Sequence, residues 1–248
     1  MQNIISFEQF LRPHKGEKFE ALFFPSESSP EISPTIVYIH GYNTFGAWDM
    51  IYPARVLTNF GYNIILPSQR GFGYSNGPRD YYGPKTISGI ADVVQEVIQK
   101  KNLNQKKIAV HGVSRGASVA ALLAVHYPKL WKAAVFQSGA YDLQKNYQWE
   151  KKHPMIKKQI EDETGLSEEA MRDRSPIFDM KTLACPVLIL HGEDDENVPA
   201  FLSRELAEEL TRLRKPYSFH ILPKKGHKMS GPELRKKHIL PFFRENLN

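Results

Sequence analysis

Apolar and polar positions change period along this chain of 248 residues, and the changes lay out its elements. Residues 4–11 and 18–24 alternate apolar with polar around Pro13-His14-Lys15-Gly16-Glu17, the period-two pattern of a β-hairpin. A Ser/Pro-rich loop occupies 26–34. Thr35-Ile36-Val37-Tyr38-Ile39 is then a nearly unbroken apolar run, of the kind buried on both faces of a parallel sheet. Further short strands are expected at 62–66, 106–112, 132–136, 186–190 and 217–222. Helical periodicity marks 48–60, which stops at Gly61, then 87–101, the Ala/Leu-rich run after Gly116, 202–213 and 233–245. Strands that alternate with helices predict an α/β fold with an open, mostly parallel sheet flanked by helices. Residues 142–181 have no strand pattern and hold two or three short helical stretches. They read as a small cap inserted over the carboxyl ends of the strands, where such sheets bind ligands. With no internal repeat, the expectation is one domain over 1–248.

Composition narrows this picture without redirecting it. A chain of this length buries about 70–75% of its unfolded surface in one core. Hydrophobic content of 41% and charged content of 24% are ordinary for a globular protein. The formal charge is +6, but Lys151-Lys152, Lys157-Lys158, Lys224-Lys225 and Arg235-Lys236-Lys237 are scattered among acidic neighbours such as Glu161-Asp162-Glu163. These clusters read as solvated faces, so neither a nucleic acid nor a membrane surface is an expected partner. Cys185 is the single cysteine, which excludes an internal disulfide and a cysteine metal site. Residues 1–8 have neither a basic leader nor an apolar core, and no apolar run approaches the ~18–20 residues of a membrane span. A cytoplasmic location is the expectation.

The chemistry centres on Gly112-Val113-Ser114-Arg115-Gly116, which joins an apolar strand to a helix. A strand-to-helix turn this sharp lifts the Ser114 hydroxyl beside the free N–H groups of the helix start. It also leaves no room for side chains at Gly112 and Gly116. A serine nucleophile needs a base, an orienting acid and an oxyanion site, all on the same sheet edge. Among nine histidines, His14, His126, His153 and His238 fall in the hairpin turn or on helices, and His220 lies inside a strand. His40, His111 and His191 end strands in short turns needed for other work. His227, after the last strand in Lys224-Lys225-Gly226-His227, is the natural base. The acid lies in Glu193-Asp194-Asp195-Glu196, after the penultimate strand. Glu193 follows the turn at Gly192 too soon, while Asp194 and Asp195 point in opposite directions in an extended loop, so one of the two can face the imidazole. Backbone N–H groups of Tyr42, after His40-Gly41, and of Arg115 are the expected oxyanion donors. The Arg115 side chain is read as solvated or ion-paired, with an acidic substrate group as the alternative partner.

These motifs resemble the α/β-hydrolase superfamily, and within it most closely the catalytic domains of the prolyl oligopeptidase family and their single-domain relatives. The likeness runs from about residue 35 to 243 and rests on several segments. They are His40-Gly41, Arg70-Gly71-Phe72-Gly73-Tyr74, the Ser114 turn, Ser175-Pro176-Ile177, Cys185 through Pro199 and Gly226-His227. The family pattern His-Gly-x-x-Asp-x-x-Val-Pro implies that the acid is Asp195, and the resemblance implies a serine hydrolase without metal or organic cofactor. Ala117 stands where the family often has a second glycine, and Tyr42-Asn43 where it has a Gly-rich segment. These 248 residues carry no counterpart of the propeller that makes oligopeptidases size-selective.

The expected activity is hydrolysis of a peptide or ester acyl bond through an acyl-enzyme on Ser114, with His227 as base and Asp195 as its orienting acid. The Arg-Gly-Phe-Gly-Tyr-Ser loop is also like that of carboxylesterases and monoacylglycerol-lipase-like enzymes, so an esterase is the rival reading. An inactive hydrolase fold that only binds is a more distant one, because Ser114, His227 and the acid are all present. Tyr141, Tyr147 and Trp149, in or just before the inserted segment, are candidate substrate contacts, with core packing of the insertion as the equal alternative. The sequence leaves the oligomeric state and the choice of substrate open.

Overall fold

The computed structural model of the chain describes residues 6–149, 153–229 and 231–247. Positions 4 and 5 of the expected first strand, and Lys151-Lys152, lie outside the described residues. Eight strands form one sheet among the described residues: β1 (Glu8–His14), β2 (Glu17–Phe24), β3 (Thr35–Ile39), β4 (Asn63–Pro67), β5 (Ile108–Val113), β6 (Ala133–Gln137), β7 (Val187–Gly192) and β8 (Tyr217–Leu222). Their order is β1-β2-β4-β3-β5-β6-β7-β8. The pairs β1–β2 and β2–β4 are antiparallel, and every pair from β4 onward is parallel.

Helices cover both faces, which explains the unbroken apolar runs. Val37 and Ile39, with Ile108 and Val110, pack under helices α2 (Pro84–Lys100) and α3 (Arg115–His126). Their neighbours Ile36 and Ala109 point to the opposite face, under α1 (Ile51–Thr58) and the C-terminal helix. In β7 the same alternation sends Val187 and Ile189 one way and Leu188 and Leu190 the other. Between β6 and β7 lie three short helices, α4 (Leu143–Gln148), α5 (Pro154–Thr164) and α6 (Glu168–Arg172), and a 3-10 segment, Pro176–Thr182. Helix α7 (Phe201–Arg212) connects β7 to β8, and α8 runs over 232–247 with a π turn at Arg235–Ile239.

Three boundaries differ from the periodicity for local reasons. The first hairpin is tighter than expected, because Lys15 and Gly16 both take positive φ (46° and 81°) in a two-residue turn. His14 therefore pairs with Glu17, and β1 extends through Pro13, which an edge strand tolerates. Helix α2 starts at Pro84, three residues before the apolar stripe, since proline fits the first helical position. The expected 48–60 helix opens as a 3-10 turn over Gly46–Met50 before α1 begins.

Candidate active site

The turn from β5 into α3 holds Ser114 at φ 57° and ψ −126°, a strained conformation for a residue with a side chain. The approach of strand to helix is what forces it. A Cβ on Gly112 would stand 1.9 Å from the Gly116 carbonyl oxygen, and one on Gly116 would stand 2.3 Å from that of Ile39. Backbone cannot yield as a side chain can, so Gly112→Ala is expected to cost on the order of 3 kcal/mol. Thermal unfolding should record a melting temperature lower by roughly 10 °C. An unchanged value would mean that the turn relaxes freely.

Two loops bring the other groups to this serine. Gly192 ends β7 against the loop after β8, where a Cβ would meet the Lys225 carbonyl oxygen at 2.3 Å. Glu193 N–H donates to Leu222 O (3.0 Å) and Asp194 N–H to Lys225 O (2.9 Å), so the two loops run as a pair. This pairing turns Asp195 inward and leaves Glu193, Asp194 and Glu196 exposed. Ser114 Oγ lies 2.7 Å from His227 Nε2, and His227 Nδ1 lies 2.8 and 3.0 Å from the two carboxylate oxygens of Asp195. Ser114, His227 and Asp195 are thus linked by a continuous run of hydrogen bonds.

Asp195 is more enclosed than the sequence suggests, and His191 is a partner that sequence reasoning missed. Oδ1 of Asp195 accepts the N–H groups of Asn197 and Val198, both at 2.9 Å. Oδ2 lies 3.1 Å from Nε2 of the fully buried His191. That same nitrogen faces the Val198 carbonyl at 3.0 Å, so it carries the ring proton, while Nδ1 accepts from the Ser203 hydroxyl at 2.6 Å. Burial by itself would raise the Asp195 carboxyl, but hydrogen bonds from His191 and His227 hold it well below the usual carboxylate range. The signal in the sequence was the spacing of four residues between His191 and Asp195 across Gly192.

The Tyr42 backbone is set by a second buried imidazole. His40 Nε2 accepts the Gln69 N–H at 3.0 Å, so its proton sits on Nδ1 and is donated to the Gly41 carbonyl at 2.7 Å. In a trans peptide the N–H of Tyr42 then points away from that carbonyl. Gly41 lies against Ser114, since a Cβ there would stand 3.3 Å from Ser114 Cβ. The loop that grips His40 is held in turn by Glu20, a fully buried carboxylate. Glu20 accepts from Gln9 Nε2 (2.6 Å), Trp48 Nε1 (2.8 Å), Ser68 Oγ (2.8 Å) and Tyr74 N–H (3.0 Å). The Arg70-Gly71-Phe72-Gly73-Tyr74 motif is therefore a brace beneath the His40-Gly41 turn. Arg115, the other expected donor, supplies the first N–H of α3, which has no carbonyl four residues back to bind.

Burial also makes stability depend on pH. Desolvation lowers His40, and His111 stacked on Tyr38, from the ordinary value near 6.5 to about 4. Between those values the unfolded chain binds protons that the fold refuses, so stability falls as pH drops from about 7 to about 4. Each imidazole is worth up to ~3 kcal/mol across that window. Urea unfolding at pH 7.5 and pH 4.5 should show a clearly lower midpoint at the acid pH. Equal midpoints would mean that both rings find acceptors once charged.

A cavity of about 390 Å³ opens above Ser114 and His227. The inserted segment roofs it with Asn146, His153, Met155, Ile156 and Gln159, while Tyr42, Tyr81 and Tyr82 enter from the sheet side. Tyr141, Tyr147 and Trp149 are not among its lining residues, which corrects the expectation for the insertion. Tyr141 is fully buried and packs on Phe136 with ring centroids 5.9 Å apart. The Tyr147 hydroxyl donates to Glu161 at 2.9 Å while its ring packs on the core. Helix α4 turns its apolar side to the core, so the cavity receives Asn146 instead. Arg174 supports the opposite wall, donating to the carbonyls of Asp80 and Tyr81 at 2.8–3.1 Å.

Among the described residues, no group of three or more His, Cys, Asp or Glu side chains is arranged to hold a metal ion. No described helix is long and apolar enough to cross a membrane.

The model of the prolyl oligopeptidase family matches residues 48–248. The chain belongs to the prolyl oligopeptidase family. Its α/β-hydrolase fold is shared with a puromycin-hydrolysing peptidase of Mycobacterium tuberculosis, at a TM-score of 0.83 and 22% identity over 98% of this chain and 40% of that one. The mouse acylamino-acid-releasing enzyme is 26% identical over 87% of this chain and 32% of its own length. YtmA of Bacillus subtilis, an uncharacterised peptidase, is 26% identical over 67% of this chain and 66% of its own. This family member thus spans about a third of the length of the mouse relative.

Proposed function

We propose that this member of the prolyl oligopeptidase family is a serine peptidase that cleaves an acyl bond through an acyl-enzyme on Ser114. The observation that carries this is the relay from Ser114 Oγ to His227 Nε2 at 2.7 Å and from His227 Nδ1 to Asp195 at 2.8 Å. In the proposed cycle Ser114 Oγ attacks the substrate carbonyl carbon while His227 Nε2 takes the hydroxyl proton. Charge then moves to the carbonyl oxygen, where the backbone N–H groups of Tyr42 and Arg115 stabilise it. The C–N bond breaks as His227 returns the proton to the departing amine, and water repeats the sequence to free the acid and Ser114. Asp195 keeps the proton on Nδ1 of His227, so that Nε2 is available as base, and His191 fixes Asp195 from the far side.

The inserted segment at 142–181 acts in this proposal as a cap that selects substrates, since it supplies the roof of the cavity. Action in the cytoplasm is part of the same reading and accords with a single, buried cysteine. Labelling by a fluorophosphonate probe, followed by a panel of N-acyl aminoacyl and peptidyl anilides against nitrophenyl esters, is the test. Labelling with turnover of anilides is expected. Labelling with turnover of esters alone would make the protein an esterase that uses the same groups, and absence of labelling would reject the hydrolase reading.

A further inference from the structure

The guanidinium of Arg115 is placed beside the proposed nucleophile with part of its hydrogen-bonding capacity unused. Its side chain is only 5% exposed. Nη2 is ion-paired with Glu163 of α5, yet Nε and Nη1, both buried, have no partner. Four aromatic rings surround it: Tyr81 at 4.3 Å from the guanidinium carbon, Phe72 at 5.6 Å, Tyr42 at 5.8 Å and Tyr82 at 6.0 Å. Such rings hold the plane of the cation and exclude water, but their faces offer no oxygen acceptor. Leaving charged N–H groups buried and unpaired is costly, and that cost is removed when a ligand brings the acceptor.

The cavity has the matching polarity. Arg115, His153 and Lys228 line it with His227, and no aspartate or glutamate is among the lining residues. Glu163 answers one nitrogen of Arg115 and is shared with the Tyr81 N–H, which it accepts at 2.8 Å. It therefore anchors the guanidinium without saturating it.

We infer that Arg115, framed by Tyr42, Tyr81 and Tyr82, is an anion-binding subsite that selects substrates with a carboxylate side chain on the residue whose carbonyl is attacked. The assignment to that residue rests on the proposed hydrolase reading. The leaving amine departs past His227, whereas the group next to the oxyanion donors belongs to the acyl side. Glutamyl and aspartyl acyl groups fit this description, because a charge-assisted hydrogen bond to guanidinium outweighs one from a neutral amide.

The test compares N-acetyl-Glu and N-acetyl-Gln anilides, which share shape and leaving group, on the whole protein. The expected kcat/KM is at least tenfold higher for the glutamyl substrate. Arg115→Met should bring the ratio to one or below, and the double variant Arg115→Met/Glu163→Gln should do the same without leaving an unpaired glutamate. Glu163→Gln alone, which removes the competing carboxylate, should raise the ratio. A purely structural ion pair would instead lower both substrates in parallel in every variant, and that outcome overturns the inference. A ratio near one in the unaltered protein overturns it as well. Calorimetry with N-acetyl-glutamate and N-acetyl-glutamine reads the subsite without turnover. Tighter glutamate binding in a protein that no fluorophosphonate labels would sustain the subsite and reject the hydrolase reading, while equal affinities would reject the subsite.

Discussion

Replacing Ser114 by alanine is expected to leave the protein folded, abolish fluorophosphonate labelling and lower turnover by roughly 10⁴–10⁶-fold. The size follows from the role proposed for the hydroxyl, which forms and then breaks the bond to the acyl group. Without it, only the oxyanion donors and the cavity remain to speed attack by water. Folding should survive because the turn is set by the close approach of Gly112, Gly116 and Ile39, whereas the hydroxyl's hydrogen bond runs to His227 on another loop. The serine and an alanine also carry the same Cβ through the positive φ, so the strain at position 114 is unchanged. Labelling, circular dichroism and turnover of one anilide suffice as measurements. Residual turnover above about one per cent would assign the chemistry to another nucleophile.

The second large effect separates two adjacent carboxylates. Every group around the side chain of Asp195 is a donor: His227 Nδ1–H, His191 Nε2–H and the N–H groups of Asn197 and Val198. An asparagine there would put an amide N–H₂ where an acceptor is required. If that amide faces His227, the ring must accept on Nδ1 and carry its proton on Nε2, the tautomer that cannot take the serine proton. Asp195→Asn should therefore lower kcat by about 10⁴-fold. Asp194 is exposed, and its backbone N–H donates to Lys225 O, a bond that asparagine retains. Asp194→Asn should change kcat by less than about tenfold. Kinetics of the two variants at one pH decide the matter, and the reverse order of effects would transfer the acid to Asp194.

His191 adds a refinement to this picture. Its imidazole and that of His227 approach the same carboxylate from two sides, at 3.1 and 2.8 Å. A carboxylate with one hydrogen-bonded face could swing with the loop, whereas one held from both sides cannot. The strand end His191-Gly192 thus does two jobs: the glycine admits the neighbouring loop, and the histidine steadies the acid that faces it.

What the sequence determined by itself was local. A period of two or an unbroken apolar run specifies a strand, and glycines around a serine at a strand end specify a sharp turn, because backbone sterics act over a few residues. The parallel sheet, the Ser114 turn, the loops that bear His227 and the acid, and the helical insertion were legible for that reason. The loop histidine after the last strand, proposed as the base, was picked out by the same logic of strand ends. What only the tertiary structure decided were contacts between segments far apart in the chain. Whether Asp194 or Asp195 faces inward depends on how the loop after β7 pairs with Lys225, which alternation alone left open. Tyr141 is buried against Phe136 of β6 and Tyr147 packs against the core, neither lining the cavity, since the direction an aromatic faces is set by tertiary packing and not by spacing in the chain. The Arg115–Glu163 pair spans 48 residues and carries no signature, because ion pairing depends on distance in space and not on spacing in sequence.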